Sequence, residues 1–431
     1  MPSFAHPNLF RFAILFAACV LILPGLSNIE TLVFDETHYV PAARSLLSLT
    51  ENRNPEHPLF AKEVIALGIW IFGDNAMGWR LPGALLSILG VLACFEIAFR
   101  VFRSPTLAAL TALLILFNIM YVVQARTAML DTITWPLFAM SVAGLLIATD
   151  LKSSKGLTAA LLILSGILLG LATAAKWTAG IYAVFALIFL FGQRLQATLK
   201  ARRPLLDVLF GRGFPTLSNL SFLVVGALFG VPSLLAYAAT FIPAYHLEQD
   251  PLTSLFDLFT FHVHMIELQT MPLAENTYES DWWSWPLMLE PIWYEFLDTP
   301  DEKHRAILYL GNPVIYWGGL LALVACLVES LRRQIALPFR IAFVFLMSWL
   351  AFAIIPKQIG FLFYYHGSAI IMCFVVTACV SLVPKGKLRR GAYWSVLTAS
   401  AIAYLYFLPV VYATKMPQHQ WLNYIWLDSW S

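Results

Sequence analysis

The chain has 431 residues, of which 60% are hydrophobic and only 12% charged, and its mean hydropathy is +0.74. A soluble domain averages about 25% charged residues, and here the deficit runs the whole length, so a soluble globular protein with one buried core is excluded. The net charge of +2 carries information only through its distribution. Apolar runs of about 20 residues, enough to cross a bilayer as helix, recur between short polar breaks. They predict an all-α polytopic membrane protein with eleven transmembrane helices. In chain order these fall near 10–29, 79–99, 105–123, 128–149, 157–174, 177–193, 218–242, 307–329, 338–355, 361–383 and 391–413. The first run is long enough to span and lacks a small-residue cleavage pattern, so no cleaved signal peptide is expected.

With the N-terminus cytoplasmic, the inner loops collect Arg100, Arg103, Lys152, Lys155, Arg194, Lys200, Arg202, Arg203, Arg212, Arg332, Arg333, Lys385, Lys387, Arg389 and Arg390. Few acids accompany them, as the positive-inside rule expects. Two outer loops are long, 30–78 and 243–304. Both hold apolar stretches too short to span, among them 63–72 and 251–266, which predict interfacial helices. Tryptophan and tyrosine crowd 278–294, the composition of a headgroup-level belt. The chain reads as a single transmembrane domain, 1–431, with no separate soluble domain. The cysteines, at 19, 94, 326, 373 and 379, sit in apolar runs without a CxxC pair, so free thiols are expected.

The chemistry-bearing residues gather at the outer junctions. FDETHY (34–39) supplies Asp35 and Glu36 after the first apolar run, and NPEHPLFAK (54–62) supplies Glu56, His57 and Lys62. GWRLPG (78–83) puts Arg80 at the outer mouth of the second span. QARTAMLD (124–131) puts Arg126 and Asp131 at the next hairpin, and AAKWTAG (174–180) adds Lys176. Taken singly, an acid at a helix start is favoured by the dipole and a cation at a span end anchors by snorkelling. Their recurrence at one depth and on one face asks for more than a solvated rim. Cations suit a phosphate, the bilayer suits a lipid tail, and a carboxylate suits a general base taking a proton from a hydroxyl. Together they describe sugar transfer from a lipid-linked phosphate to an alcohol, with the leaving phosphate stabilised electrostatically. No glycine-rich phosphate loop is present. A single Asp and scattered cations make no metal cage, so no cofactor is required. No nucleic-acid partner is expected.

These motifs, in this order, resemble the protein O-mannosyltransferase family of the GT-C superfamily of lipid-carrier-dependent membrane glycosyltransferases. The second half agrees through YESDWWSWPLMLEPIWY (278–294), GNPVIYW (311–317) and FLFYYHGS (361–368). The resemblance implies a GT-C fold and an inverting transfer of mannose or a related sugar from a polyprenyl phosphate. The acceptor it implies is a hydroxyl, protein Ser/Thr favoured, on the outer face of the cytoplasmic membrane. It makes Asp35 the catalytic base, with Glu36 holding acceptor or donor and Arg80 touching the lipid phosphate. His57, Lys62, Arg126, Asp131 and Lys176 fall on motif positions lining the site, and His366 falls on the Tyr-His segment. Trp283, with Trp282 and Trp285, reads either as an interfacial anchor or as an aromatic wall beside sugar or lipid. The chain departs from the family pattern at His57-Pro58-Leu59, where a second proline is common. It departs again at Asn276 and Thr277 before Tyr278, and it has no room for the β-trefoil domain of eukaryotic members.

Three rival readings remain. A lipid A-type acceptor fits the same chemistry, but related aminoarabinose transferases carry an extra C-terminal outer domain, where only 414–431 follow the last span. A secondary transporter places charges mid-span in related halves, a pattern absent here. A catalytically dead partner subunit would not be expected to retain Asp35.

Overall fold

The computed structural model describes residues 7–150, 154–211, 217–271, 276–299, 301, 303–355, 359–417 and 419–431. Lys152 and Arg212 of the basic loops lie outside the described residues. Helix α1 (Pro7–Ile22) stops well before position 29, because Leu23-Pro24-Gly25 ends it: proline has no N–H to give, and Gly25 takes φ +69°. A loop then leads to α2 (Glu36–Leu47), with Asp35 at its N-cap, and α3 (Phe60–Phe72). The long α4 (Ala76–Phe102) is capped by Asn75, whose side chain accepts from the N–H groups of Met77 and Gly78. The expected span 105–123 is broken: α5 (Pro105–Phe117) and α6 (Ile119–Ala125) meet at 68°. Asn118 between them has extended backbone, ψ 108°.

Next come α7 (Leu130–Asp150), α8 (Lys155–Ala175), α9 (Thr178–Lys200), the single turn α10 (Asp207–Phe210) and α11 (Phe222–Ala239). The second long loop contains α12 (Leu255–Thr270), started by a capping box between Ser254 and Asp257. After strands β1 (Ile292–Asp298) and β2 (Lys303–Tyr309), helices α13 (Pro313–Arg333), α14 (Ala336–Leu350), α15 (His366–Leu382) and α16 (Lys387–Tyr406) complete the bundle. The turn α17 (Leu408–Val411) and the short strand β3 (Met416–Pro417) follow. Among the described residues seven helices are long and apolar enough to cross a bilayer, and the bent α5–α6 pair would make an eighth. The chain is therefore a multi-pass membrane protein. Its five cysteines are free thiols.

The all-α expectation is corrected by an antiparallel sheet in the order β1-β2-β3. Ile-Trp-Tyr-Glu-Phe-Leu-Asp is rich in β-formers, and the same aromatics read as a headgroup belt when only composition is considered. The expected span 307–329 accordingly begins inside β2 and turns helical only at Pro313. The β1–β2 ladder pairs Trp293 with Leu308 and then Glu295 with Ile307, so Tyr294 is left in a bulge. Bulges commonly re-aim a side chain beside a site, and this one does so.

Helix pairs α7–α8, α8–α11 and α4–α7 pack most extensively, followed by α13–α15, α4–α5, α3–α4 and α2–α3. Lipid tails are as apolar as the helices, so close contact and polar ties hold such a bundle rather than hydrophobic burial. One set of ties joins α1, α4 and α7. Arg11 pairs with Glu96, Arg100 Nη1 donates to Asp150 Oδ2 at 2.6 Å, and Arg103 Nη2 donates to Asp150 Oδ1 at 2.7 Å. This cluster sits about 30 Å along α4 from Arg80, at the opposite end of the bundle from Asp35.

Candidate active site

Two aspartates anchor the candidate site, and each carries an aromatic donor one helical turn on. Asp35 caps α2, and Tyr39 Oη donates to its Oδ2 at 3.3 Å. Asp131 lies in the first turn of α7, and Trp135 Nε1 donates to its Oδ1 at 3.0 Å. Lys176, in the α8–α9 junction, donates to Asp131 Oδ2 at 2.6 Å. That carboxylate is the only hydrogen-bond partner of its ammonium among the described residues. The rest of its ammonium lies over the rings of Phe363 and Tyr364, 5.2 and 5.3 Å from their centroids. Trp135 fits beneath because residue 367 is glycine: a Cβ there would come within 2.1 Å of the indole.

Asp35 sits in the field of this group. Burial pushes its carboxyl above the ordinary carboxylate range, while His38, the Lys176 ammonium and the Tyr39 hydroxyl pull it down, and Asp131 pushes it up again. The Tyr39 phenol, buried and facing Asp35, Asp131 and Tyr364, is held well above its usual range, so it remains a donor. The Asp35 carboxylate, the Tyr39 phenol and the Lys176 ammonium thus belong to one electrostatic cluster, with the rings of Phe363 and Tyr364 against the ammonium.

The backbone that presents Asp35 is strained. Phe34 has φ 44°, a left-handed conformation that costs a non-glycine residue about 1–2 kcal/mol. Its ring stacks on Tyr294 at 4.5 Å and 6°, and Tyr294 stacks in turn on Tyr309 at 4.8 Å and 8°. Tyr278 and Phe363 meet Phe34 edge-on at 6.2 and 6.1 Å. Aromatic pairs are worth about 0.5–1.5 kcal/mol each, enough to offset the strain. The bulged Tyr294 is pinned by its hydroxyl, which donates to Gln124 Oε1 at 2.8 Å.

Residues 254–430 match the C-terminal four TMM region of protein-O-mannosyltransferase, and residues 56–214 match dolichyl-phosphate-mannose-protein mannosyltransferase. The polyprenol-phosphate-mannose–protein mannosyltransferase of Mycobacterium tuberculosis is 27% identical over 487 residues, covering 95% of this chain and 88% of that one. The chain belongs to the protein O-mannosyltransferase family. Its fold is that of the S. cerevisiae protein O-mannosyltransferase Pmt1-Pmt2 complex bound to the sugar donor (TM-score 0.83, 13% identity, 100% of this chain and 93% of that one). ArnT from Cupriavidus metallidurans bound to undecaprenyl phosphate is a more distant likeness, with TM-score 0.58 at 15% identity over 94% of this chain and 76% of that one.

In this protein O-mannosyltransferase family member, Asp35, Asp131 and Lys176 come together, and several other expected residues build the frame around them. Glu36 points away from Asp35 into the core and is 0% exposed. It accepts from Arg80 Nε and Nη2 at 2.8 and 2.7 Å, from the Ala128 N–H at 2.7 Å and from the Val33 N–H at 3.0 Å. Arg80, 3% exposed, gives its remaining N–H groups to the carbonyls of Leu26, Ile29 and Thr31. All five guanidinium donors are spent on protein. The expected contacts of Glu36 with a substrate and of Arg80 with the lipid phosphate are therefore corrected: the pair ties the loop before Asp35 to α4 and α7. Arg126 does related work at the end of α1. It donates to the carbonyls of Ile22 and Gly25, at 2.8 and 3.0 Å, and to that of Pro24, with its guanidinium 4.2 Å over the Tyr412 ring. A cation at the negative end of a helix is the favourable arrangement.

Lys62 is 0% exposed and donates to the carbonyls of Arg53, Asn54 and His57 at 3.3, 2.7 and 3.0 Å, so it shapes the 53–57 turn rather than lining the site. Its burial lowers its pKa to about 7. His57 meets the Tyr39 ring edge-on at 6.2 Å and thus touches the site at one remove. His366 is buried in the core: Nδ1 lies 3.1 Å from Tyr309 Oη, and its ring stacks on Tyr121 at 5.8 Å. Trp283 is 49% exposed and bonds Asp281 of its own loop. Among the described residues no group of three or more His, Cys, Asp or Glu side chains is placed to hold a metal. Tyr39, Trp135 and Tyr364 are the site residues that motif reading missed. For Tyr39 and Trp135 the signal was present as an aromatic four residues after each aspartate.

Proposed function

We propose that the chain is a membrane mannosyltransferase that moves mannose from a polyprenyl-phosphate carrier to Ser or Thr hydroxyls of proteins. The observation that carries this reading is the grouping of Asp35 with Lys176, a proton acceptor in the field of a cation whose ammonium has one hydrogen-bond partner, Asp131, among the described residues. Asp35 takes the proton of the attacking hydroxyl, whose oxygen bonds the sugar's anomeric carbon from the face opposite the phosphate. The bond from that carbon to the phosphate oxygen breaks, and the configuration inverts. Lys176 meets the charge gathering on the leaving phosphate, while Asp131 and the two rings hold the ammonium in place. No cofactor is called for.

Eleven crossings would put this site on the extracytoplasmic side of the cytoplasmic membrane, since the basic loops gather at the other end. There α3 and α12 would lie at the interface. On α12 this fits the stripe Leu255, Phe259, Val263 and Ile266, which is exposed and apolar. A lipid acceptor is less well supported, since the fuller likenesses are to protein mannosyltransferases.

The deciding experiment puts the purified protein in liposomes with labelled polyprenyl-phosphate mannose, a protein acceptor and a lipid fraction. Label is expected in the protein pool; label confined to lipid would move the reading to the lipid acceptor.

A second expectation concerns pH. The base must be ionised, so turnover falls as pH drops through Asp35's raised pKa. The Tyr39 hydroxyl favours the carboxylate, so Tyr39→Phe raises that pKa further and shifts the acid limb of the kcat profile to higher pH. An unmoved limb would detach Tyr39 from the base.

A further inference from the structure

Trp177, beside Lys176, opens a hydrogen-bonded chain that runs out of the site. Its Nε1 donates to Tyr237 Oη of α11 at 2.9 Å, and Tyr237 Oη lies 2.7 Å from His262 Nε2 of α12. The other ring nitrogen, His262 Nδ1, lies 2.6 Å from the carbonyl of Leu258. A carbonyl only accepts, so Nδ1 carries the hydrogen and Nε2 of the neutral ring is an acceptor. Tyr237 must then donate to His262 and take the indole hydrogen on its own oxygen. The chain has one direction, and every member is satisfied. The Trp177 and His262 rings also stack at 6.2 Å and 16°, with Phe241 packed on the imidazole at 5.0 Å.

The same helix reaches the other side of the site. Gln269 lies seven residues beyond His262, two turns on along one face. Its Nε2 donates to the Glu56 carbonyl at 2.7 Å and lies 3.4 Å from His57 Nδ1. His57 touches Tyr39, which holds Asp35. Helix α12 therefore grips the flank of the cation at one point and the flank of the acid at another.

We infer that His262 and Tyr237 are positioning residues for the transfer: through Trp177 they fix the α8–α9 junction so that Lys176 meets the donor phosphate. The inference rests on the assignment of Lys176 to that phosphate. Tyr237→Phe removes one hydroxyl and keeps the ring. His262→Phe keeps a ring but removes the acceptor, and His262→Gln restores an acceptor oxygen near the position of Nε2.

With full-length protein in liposomes, KM for polyprenyl-phosphate mannose, KM for the protein acceptor and kcat are measured separately. Tyr237→Phe and His262→Phe are expected to raise the donor KM about three- to tenfold, the worth of one hydrogen bond. The acceptor KM stays within about twofold, as for loss of donor binding alone. His262→Gln recovers most of the donor affinity at a melting temperature matched to His262→Phe, which a purely structural role would not produce. Lys176→Met is the control. If it loses donor affinity while the Tyr237 and His262 variants keep theirs, the chain is packing and the inference is overturned, with the phosphate assignment intact. If Lys176→Met leaves the donor KM unchanged, the assignment fails and takes the inference with it.

Discussion

Asp35→Asn is expected to abolish mannosyl transfer while the protein stays folded and binds donor. Asparagine has the shape of aspartate and still offers Tyr39 an oxygen, but it cannot take a proton from a hydroxyl. General-base catalysis contributes about 10²–10⁴-fold, so kcat should fall by at least that range in a single-turnover assay with labelled donor. Stability should move the other way or not at all. Burial already disfavours the ionised Asp35, and replacing it with a neutral isostere removes that cost, the usual trade between activity and stability at a site. A folded Asp35→Asn variant with substantial turnover would remove Asp35 from the mechanism. A variant that failed to fold would contradict the half-buried, lightly bonded environment described for the carboxylate.

Arg80→Ala is expected to damage the fold and spare donor recognition. The Glu36–Arg80 pair is fully desolvated, with side-chain exposures of 0% and 3%. Removing one partner of a buried pair typically costs about 3–5 kcal/mol, because the other charge is left uncompensated. Three loop carbonyls would lose their donor as well. The expected result is a sharp drop in folded yield and in the unfolding midpoint in detergent, with the donor KM of the surviving folded fraction unchanged. Glu36→Gln should follow the same pattern with a smaller loss, since the amide keeps one acceptor oxygen. A stable Arg80→Ala protein with weakened donor binding would return Arg80 to the phosphate.

The helices were legible because each needs a long apolar run to satisfy its backbone in lipid. The stop at Pro24-Gly25 was also written in the chain, although hydropathy alone ran the first span on to residue 29. The break at Asn118 was not legible, since one polar residue in an apolar run reads as a tolerated interruption. Nor were β1 and β2: Trp293, Tyr294 and Phe296 suit a pleated strand and a headgroup belt equally well, and pairing partners further along the chain decide between them. In the site, Asp131 and Lys176 announced themselves as charges at the ends of apolar segments. The opposite fates of Asp35 and Glu36 did not. Adjacent residues at a helix start point about 100° apart, so one meets the cavity while its neighbour meets Arg80. Which is which depends on where α4 lies.

The rings that brace Phe34 come from positions 278, 294 and 363, all in the second half of the chain, whereas the acid they present belongs to the first. Neither half holds Asp35 in its place without the other. Injury to a remote aromatic can therefore mimic a chemical lesion: the carboxylate would still be there, intact and titratable, yet aimed at nothing.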